Sequence, residues 1–142
     1  MIKINLIRTI KGKDLIKEYE QKYGSLNKLK KEYEKDNENV ELELDMDEWE
    51  YFKDRQEEEL KQRKLIYMPK GFSWADLGIL DTIKNDKPDS LTELAKLIDK
   101  DLSTVQKKIT ALKKEGLIEL SDGDINNIKI PRFNYDKIEI AI

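Results

Sequence analysis

Apolar and polar positions alternate strictly over Ile2-Lys3-Ile4-Asn5-Leu6, so a first strand is predicted there with Ile2, Ile4 and Leu6 toward a core. Lys11-Gly12-Lys13 reads as the turn after it. From Asp14 the period lengthens, and Leu15, Ile16, Tyr19 and Tyr23 fall on one side of a helix. Gly24 can cap that helix and Ser25 can open another, with Leu26, Leu29 and Tyr33 on its buried face. Residues 34–39 are polar and read as a loop. Alternation returns over Val40-Glu41-Leu42-Glu43-Leu44, which predicts a second strand. Asp47 can cap a helix running to Lys64, with Trp49, Phe52, Gln56 and Leu60 approximating a stripe. Residues 1–70 therefore read as a small α/β unit of strand, helix, strand and helix. Pro69-Lys70-Gly71 marks the expected domain boundary. A sheet of two strands is marginal in water. Either the second half covers it or another chain pairs with its edge, and the pattern leaves both open.

Residues 71–142 carry a different pattern. Ser73 is placed to cap a helix with Trp74, Leu77, Leu80 and Ile83 inward, ending near Pro88. Ser90 and Glu93 are spaced as a capping box ahead of Leu91, Leu94, Ala95 and Ile98. After a break at Asp99-Lys100, Asp101 can cap a second helix whose Leu102, Val105, Ile109 and Leu112 form one narrow stripe, and Gly116 stops it. Leu117 to Leu120 then alternates, Ser121-Asp122-Gly123-Asp124 turns, and residues 125–130 return as a second strand. A final strand places Ile138, Ile140 and Ile142 on one face. The fold class expected is α+β: a winged helix-turn-helix preceded by the small N-terminal α/β unit.

The chemistry lies off the stripe of the second helix. Ser103, Thr104, Gln106, Lys107, Lys108, Thr110, Lys113 and Lys114 stand outside it, and no acid occurs between Leu102 and Lys114. Short polar groups at the front can reach base edges in a major groove while lysines neutralise phosphates. Lys129 and Arg132 are the wing residues expected at DNA, because the acidic tip should be repelled by phosphate. A lysine-rich helix face can also be no more than a solvated surface.

Composition narrows the classes. The chain has 142 residues with 27 Lys and Arg against 30 Asp and Glu, a net charge of −3. Residues 1–70 hold 16 basic and 17 acidic side chains and residues 71–142 hold 11 and 13. No global positive field draws it to nucleic acid; the basic character is local to one helix. There is no His and no Cys, which removes imidazole bases, thiolates, disulfides and the usual zinc sites. No carboxylate sits in an acid–base pair or a metal set, and Asp122-Gly123-Asp124 lacks the other positions of a calcium loop. The expectation is a non-enzyme without cofactor. With no signal peptide and no long apolar run, a cytoplasmic protein without membrane contact is expected.

The run LTELAKLIDKDLSTVQKKITALKKEGLIEL, with the ending YDKIEIAI, resembles a family of archaeal and bacterial winged-helix transcriptional regulators. Asp101, Val105, Ala111, Leu112, Gly116, Leu117, Tyr135, Asp136, Ile138 and Glu139 carry the resemblance. Lys107 stands where that family often has Arg, and the linker over residues 56–70 is longer than usual. The resemblance implies a sequence-specific DNA-binding regulator, a repressor, acting on double-stranded DNA as a homodimer. Proteins similar to it also occur as the antitoxin-like member of a two-protein module. That implies an alternative: an antitoxin or adaptor that binds a toxin-like or other partner through residues 1–70, with DNA binding secondary.

Overall fold

The computed structural model describes residues 1–123 and 128–142. Among them are six helices and five strands, a mixed α+β architecture with two sheets. The chain divides into two compact units. One is residues 7–63; the other joins residues 1–6 to residues 64–142. This differs from the boundary expected at Pro69-Lys70-Gly71, because residues 1–6 and 64–70 go with the C-terminal unit. Strands β1 (Lys3–Lys11) and β2 (Glu59–Tyr67) each contribute residues to both units.

The unit of residues 7–63 contains α1 (Gly12–Tyr23), α2 (Leu26–Lys35) and α3 (Val40–Lys53). Its core is Leu15, Ile16, Tyr19, Tyr23, Leu29, Trp49 and Phe52. The α1 face is the one that periodicity indicates, and Gly24 at φ +89° ends that helix with its N–H on the Glu20 carbonyl. Ser25 accepts from the Lys28 N–H and starts α2.

Two expectations fail in this unit. Val40–Leu44 is the first turn and more of α3, not a strand. Asn39 accepts from the Leu42 N–H, and Glu41 and Glu43 favour the positive end of the helix dipole. Leu42, Met46, Trp49 and Phe52 recur at helical spacing, and this longer register overrides five residues of alternation. The helix expected from Asp47 to Lys64 accordingly stops at Lys53, and the chain from Glu59 to Tyr67 is β2. Leu60 and Gln62 occupy inward positions of that strand. Gln62 there accepts from the Arg8 Nε at 2.7 Å, a polar pair that hides the strand's alternation.

The sheet therefore has three strands in the order β2-β1-β5, with β5 spanning Lys137–Ala141, so the predicted two-stranded sheet does not exist. Met68 N–H donates to the Ile2 carbonyl and Gly12 N–H to the Glu58 carbonyl, which makes β1 and β2 antiparallel. β1 runs on to Lys11, and no turn separates it from α1.

The second unit holds α4 (Trp74–Asp86), α5 (Leu91–Leu97), α6 (Leu102–Lys114), β3 (Glu119–Asp122) and β4 (Lys129–Arg132). Ile4 and Leu6 are fully buried among Leu80, Ile83, Leu94, Val105, Ile109, Leu112, Leu117 and Ile118. Trp74, expected inward, is 87% exposed, because it precedes the buried face that Asp76, Leu80 and Ile83 define. Leu102, expected on the α6 stripe, is exposed at the helix start. Ile2 is exposed as well, although alternation placed it inward, and Ile140 and Ile142 of the last strand are exposed.

A fragment of residues 71–142 lacks Ile4 and Leu6. Deleting two fully buried aliphatic side chains costs about 2–5 kcal/mol each, which few small domains survive. We expect that fragment to melt without a cooperative transition in circular dichroism. Adding residues 1–6 and 64–70 through a short linker should restore one.

Candidate nucleic-acid interface

The candidate surface is built on α5, the turn after it, α6 and the β3–β4 hairpin. Ser90 Oγ accepts from the Glu93 N–H at 3.0 Å and opens α5. The Glu93 carboxylate reaches the Asp89 N–H at 3.3 Å, so the reciprocal half of the expected box falls one residue early. Asp99 adopts φ +55°, and the Lys100 N–H returns to the Ala95 carbonyl, which makes the turn tight. Asp101 accepts from the Thr104 N–H at 2.9 Å and caps α6. The Thr104 hydrogen bonds, with Lys100 nearby, hold its carboxyl below the ordinary carboxylate range. At the other end the Gly116 N–H meets the Lys113 carbonyl and the Leu117 N–H the Leu112 carbonyl, a Schellman-type stop. Gly116 sits at φ +83°, and a Cβ there would lie 2.8 Å from Lys64 Nζ. The positive φ is what favours glycine here, since Lys64 Nζ is the flexible end of a side chain that can move aside.

Val105, Ile109 and Leu112 are buried, which fixes the rotation of α6. With 3.6 residues per turn, Ser103, Lys107, Thr110 and Lys114 lie on the line opposite that stripe. All four are exposed, as are Gln106 and Lys113 on one flank. The Thr110 hydroxyl donates back to the Gln106 carbonyl at 2.8 Å, which leaves it an acceptor toward solvent. Thr104 and Lys108 are on the other flank. They line a groove of about 380 Å³ together with Gly78 and Ile79 of α4 and Leu97 and Ile98 at the end of α5.

Lys108 is committed elsewhere. Its Nζ stands 2.9 Å from Oδ1 of Asp76, a carboxylate only 2% exposed. Oδ2 of Asp76 accepts from the Ser73 N–H at 2.9 Å at the start of α4. Oδ1 makes no regular hydrogen bond, so the lysine charge is what compensates it. This pair was hidden in the sequence. The available signal was an acid three residues after a helix-capping serine, facing inward with Leu80 and Ile83.

The hairpin bases also face acids. β3 and β4 are antiparallel, pairing Asp122 with Lys129 and Glu119 with Arg132. Lys129 forms an ion pair with Asp122 and holds that carboxyl below its usual range. Arg132 is exposed. Gly123 N–H bonds to the Ile128 carbonyl, which closes the described part of the hairpin. Asp124, and the expected return strand over residues 125–127, lie outside the described residues.

Among the described residues no cluster of three or more Asp and Glu could hold a metal ion, and no helix is long and apolar enough to cross a membrane. Residues 72–140 match the family HVO_A0114. No curated protein and no solved structure matches the chain.

Removing Lys108 leaves the Asp76 carboxylate buried without a counter-charge. Lys108→Met should therefore cost about 1–3 kcal/mol of stability, read as a lower denaturant midpoint. Pairing it with Asp76→Asn should recover part of the loss. An unchanged midpoint for Lys108→Met would mean that water already compensates the carboxylate.

Proposed function

We propose that the chain is a sequence-specific DNA-binding regulator of transcription, a repressor, in which α5 and α6 act as a helix-turn-helix and β3–β4 as a wing. The observation that carries this reading is the exposed, acid-free face of α6 behind a capped N-terminus and a tight turn. Ser103 and Lys107 lie toward the front of that face, where a recognition helix meets base edges. Gln106 and Thr110 offer further hydrogen bonds, and Lys113 and Lys114 are placed for phosphates. Thr104 and Lys108 take a smaller part, since both face the α4 groove. The net charge of −3 means that binding depends on these few contacts, so non-specific affinity should be low. A homodimer would present two such helices to a two-part site.

A second reading is an adaptor or antitoxin whose main task is to bind a protein partner through its N-terminal half. The pairing of Lys108 with Asp76 and of Lys129 with Asp122 supports it, because each removes a free cation from the DNA side.

Sites selected from random duplex DNA provide the test. On the selected site Lys107→Ala should lose about 1–3 kcal/mol of affinity and relax one base position. Lys113→Ala should weaken all sequences alike and flatten the salt dependence. A double variant with wild-type affinity would refute the assignment of α6. Asp122→Asn releases Lys129 and should raise non-specific affinity modestly in a low-salt titration. A fall would instead place the Asp122 carboxylate in a required contact.

A further inference from the structure

We infer that the solvent face of α3 is a docking surface for a basic amphipathic helical segment of another protein. α3 carries two apolar stripes. The inner one, with Trp49 and Phe52, builds the core of its unit. The outer one is Val40, Leu44 and Tyr51, which are 63%, 56% and 48% exposed. Spacings of four and seven residues put them on one line along the helix. Folding of the unit does not require that line, since the inner stripe already secures the helix.

The outer stripe adjoins a groove of about 500 Å³. Leu44, Phe52 and Leu60 supply its apolar walls, and Asp47, Glu58 and Glu59 stand at its rim with no basic residue in the lining. The Tyr51 hydroxyl donates to Glu58 at 2.9 Å, and the Arg55 guanidinium lies 4.5 Å over the Tyr51 ring. The aromatic edge of the groove is thereby held in place. α3 itself has six carboxylates and one lysine. Some are used internally: Glu41 pairs with Lys22, Glu50 with Lys30, and Glu48 accepts from Tyr19. Glu43, Asp47 and Glu59 have no such partner among the described residues and flank the apolar line.

An occupant of this face must bring apolar side chains to Leu44 and the groove, and positive charge to its rim. A second copy fails that requirement, because a two-fold contact here sets Glu43 and Asp47 against their own equivalents. Nucleic acid fails it by like charge. An amphipathic helix with lysines or arginines beside its apolar stripe satisfies both demands, in the helix-in-groove manner.

This inference deepens the partner-binding reading and is independent of the DNA contacts proposed for α6. The probe is a fluorescein-labelled peptide of leucine and lysine, patterned as an amphipathic helix of roughly four turns, titrated against the full chain. A matched peptide with glutamate for lysine is the control. We expect the lysine peptide alone to bind, more weakly as salt rises. Leu44→Ser and Asp47→Lys should each weaken it about tenfold. Both residues are exposed, so the variants should keep the wild-type melting curve and DNA affinity. Undiminished binding in both variants would overturn the α3 face while leaving partner binding standing. No binding, or equal binding of the glutamate peptide, would likewise overturn the α3 face, and the broader reading would fall only if the full chain bound no protein through residues 1–70. Sedimentation showing a dimer that Leu44→Ser dissociates would make the occupant a second copy and sink the inference.

Discussion

Among the described residues, Asp76 is the buried charged side chain on which α4 and α6 meet. It is buried, it caps the start of α4 through the Ser73 amide, and its remaining oxygen faces the ammonium of Lys108 on α6. Burial of apolar surface is non-directional and does not by itself single out one pairing of polar groups between α4 and α6. A buried charge with one fixed partner does. The pair thus sets the register of α4 against α6. The buried stripe of Val105, Ile109 and Leu112 fixes the rotation of α6, and the pair holds one flank of that helix against α4.

The same pair separates two kinds of lysine on one helix. Lys107, Lys113 and Lys114 are exposed, and nothing described neutralises them. Lys108 is a structural counter-ion. A count of basic residues treats the four alike, and charge in such a count overstates what a phosphate would meet. Lys129 repeats the point at the hairpin, where its cross-strand neighbour Asp122 neutralises it. The positive field of this surface is narrower than its composition implies, and it follows the outer line of α6.

How legible was this in the chain? The caps at Ser25, Ser90 and Asp101 and the stops at Gly24 and Gly116 were readable, because each depends on one residue type at one backbone position. The buried stripes of α1 and α6 were readable too, Leu102 excepted, because they repeat over more than two turns. Residues 40–44 misled because two apolar stripes on opposite faces of a helix can imitate alternation over five residues. Only Met46, Trp49 and Phe52 resolve the ambiguity, and the pattern assigns Trp49 and Phe52 to the next element. β2 was missed for the converse reason: its inward Gln62 is satisfied by Arg8, so polarity did not mark its outward side. Of the proposed interface, the exposed positions on α6 could be read from the stripe opposite them. The engagement of Lys108 and Lys129 depends on residues distant in sequence or across a hairpin, which local pattern does not carry.

The discontinuity of the second unit has a consequence for how the chain is made. Residues 7–63 are contiguous, so every partner for their core has emerged once synthesis passes Arg63. Ile4 and Leu6 are translated earlier than any of these, yet their buried core neighbours run from Leu80 to Ile118, and the β5 neighbour of β1 comes later still. Ile4 and Leu6 must remain without their buried core while about 100 further residues are added, at a typical rate of several per second. Closing contacts across such a separation is slow compared with forming local helices. The first residues of a nascent chain therefore wait exposed for their core, whereas the unit of residues 7–63 can close as soon as it has emerged.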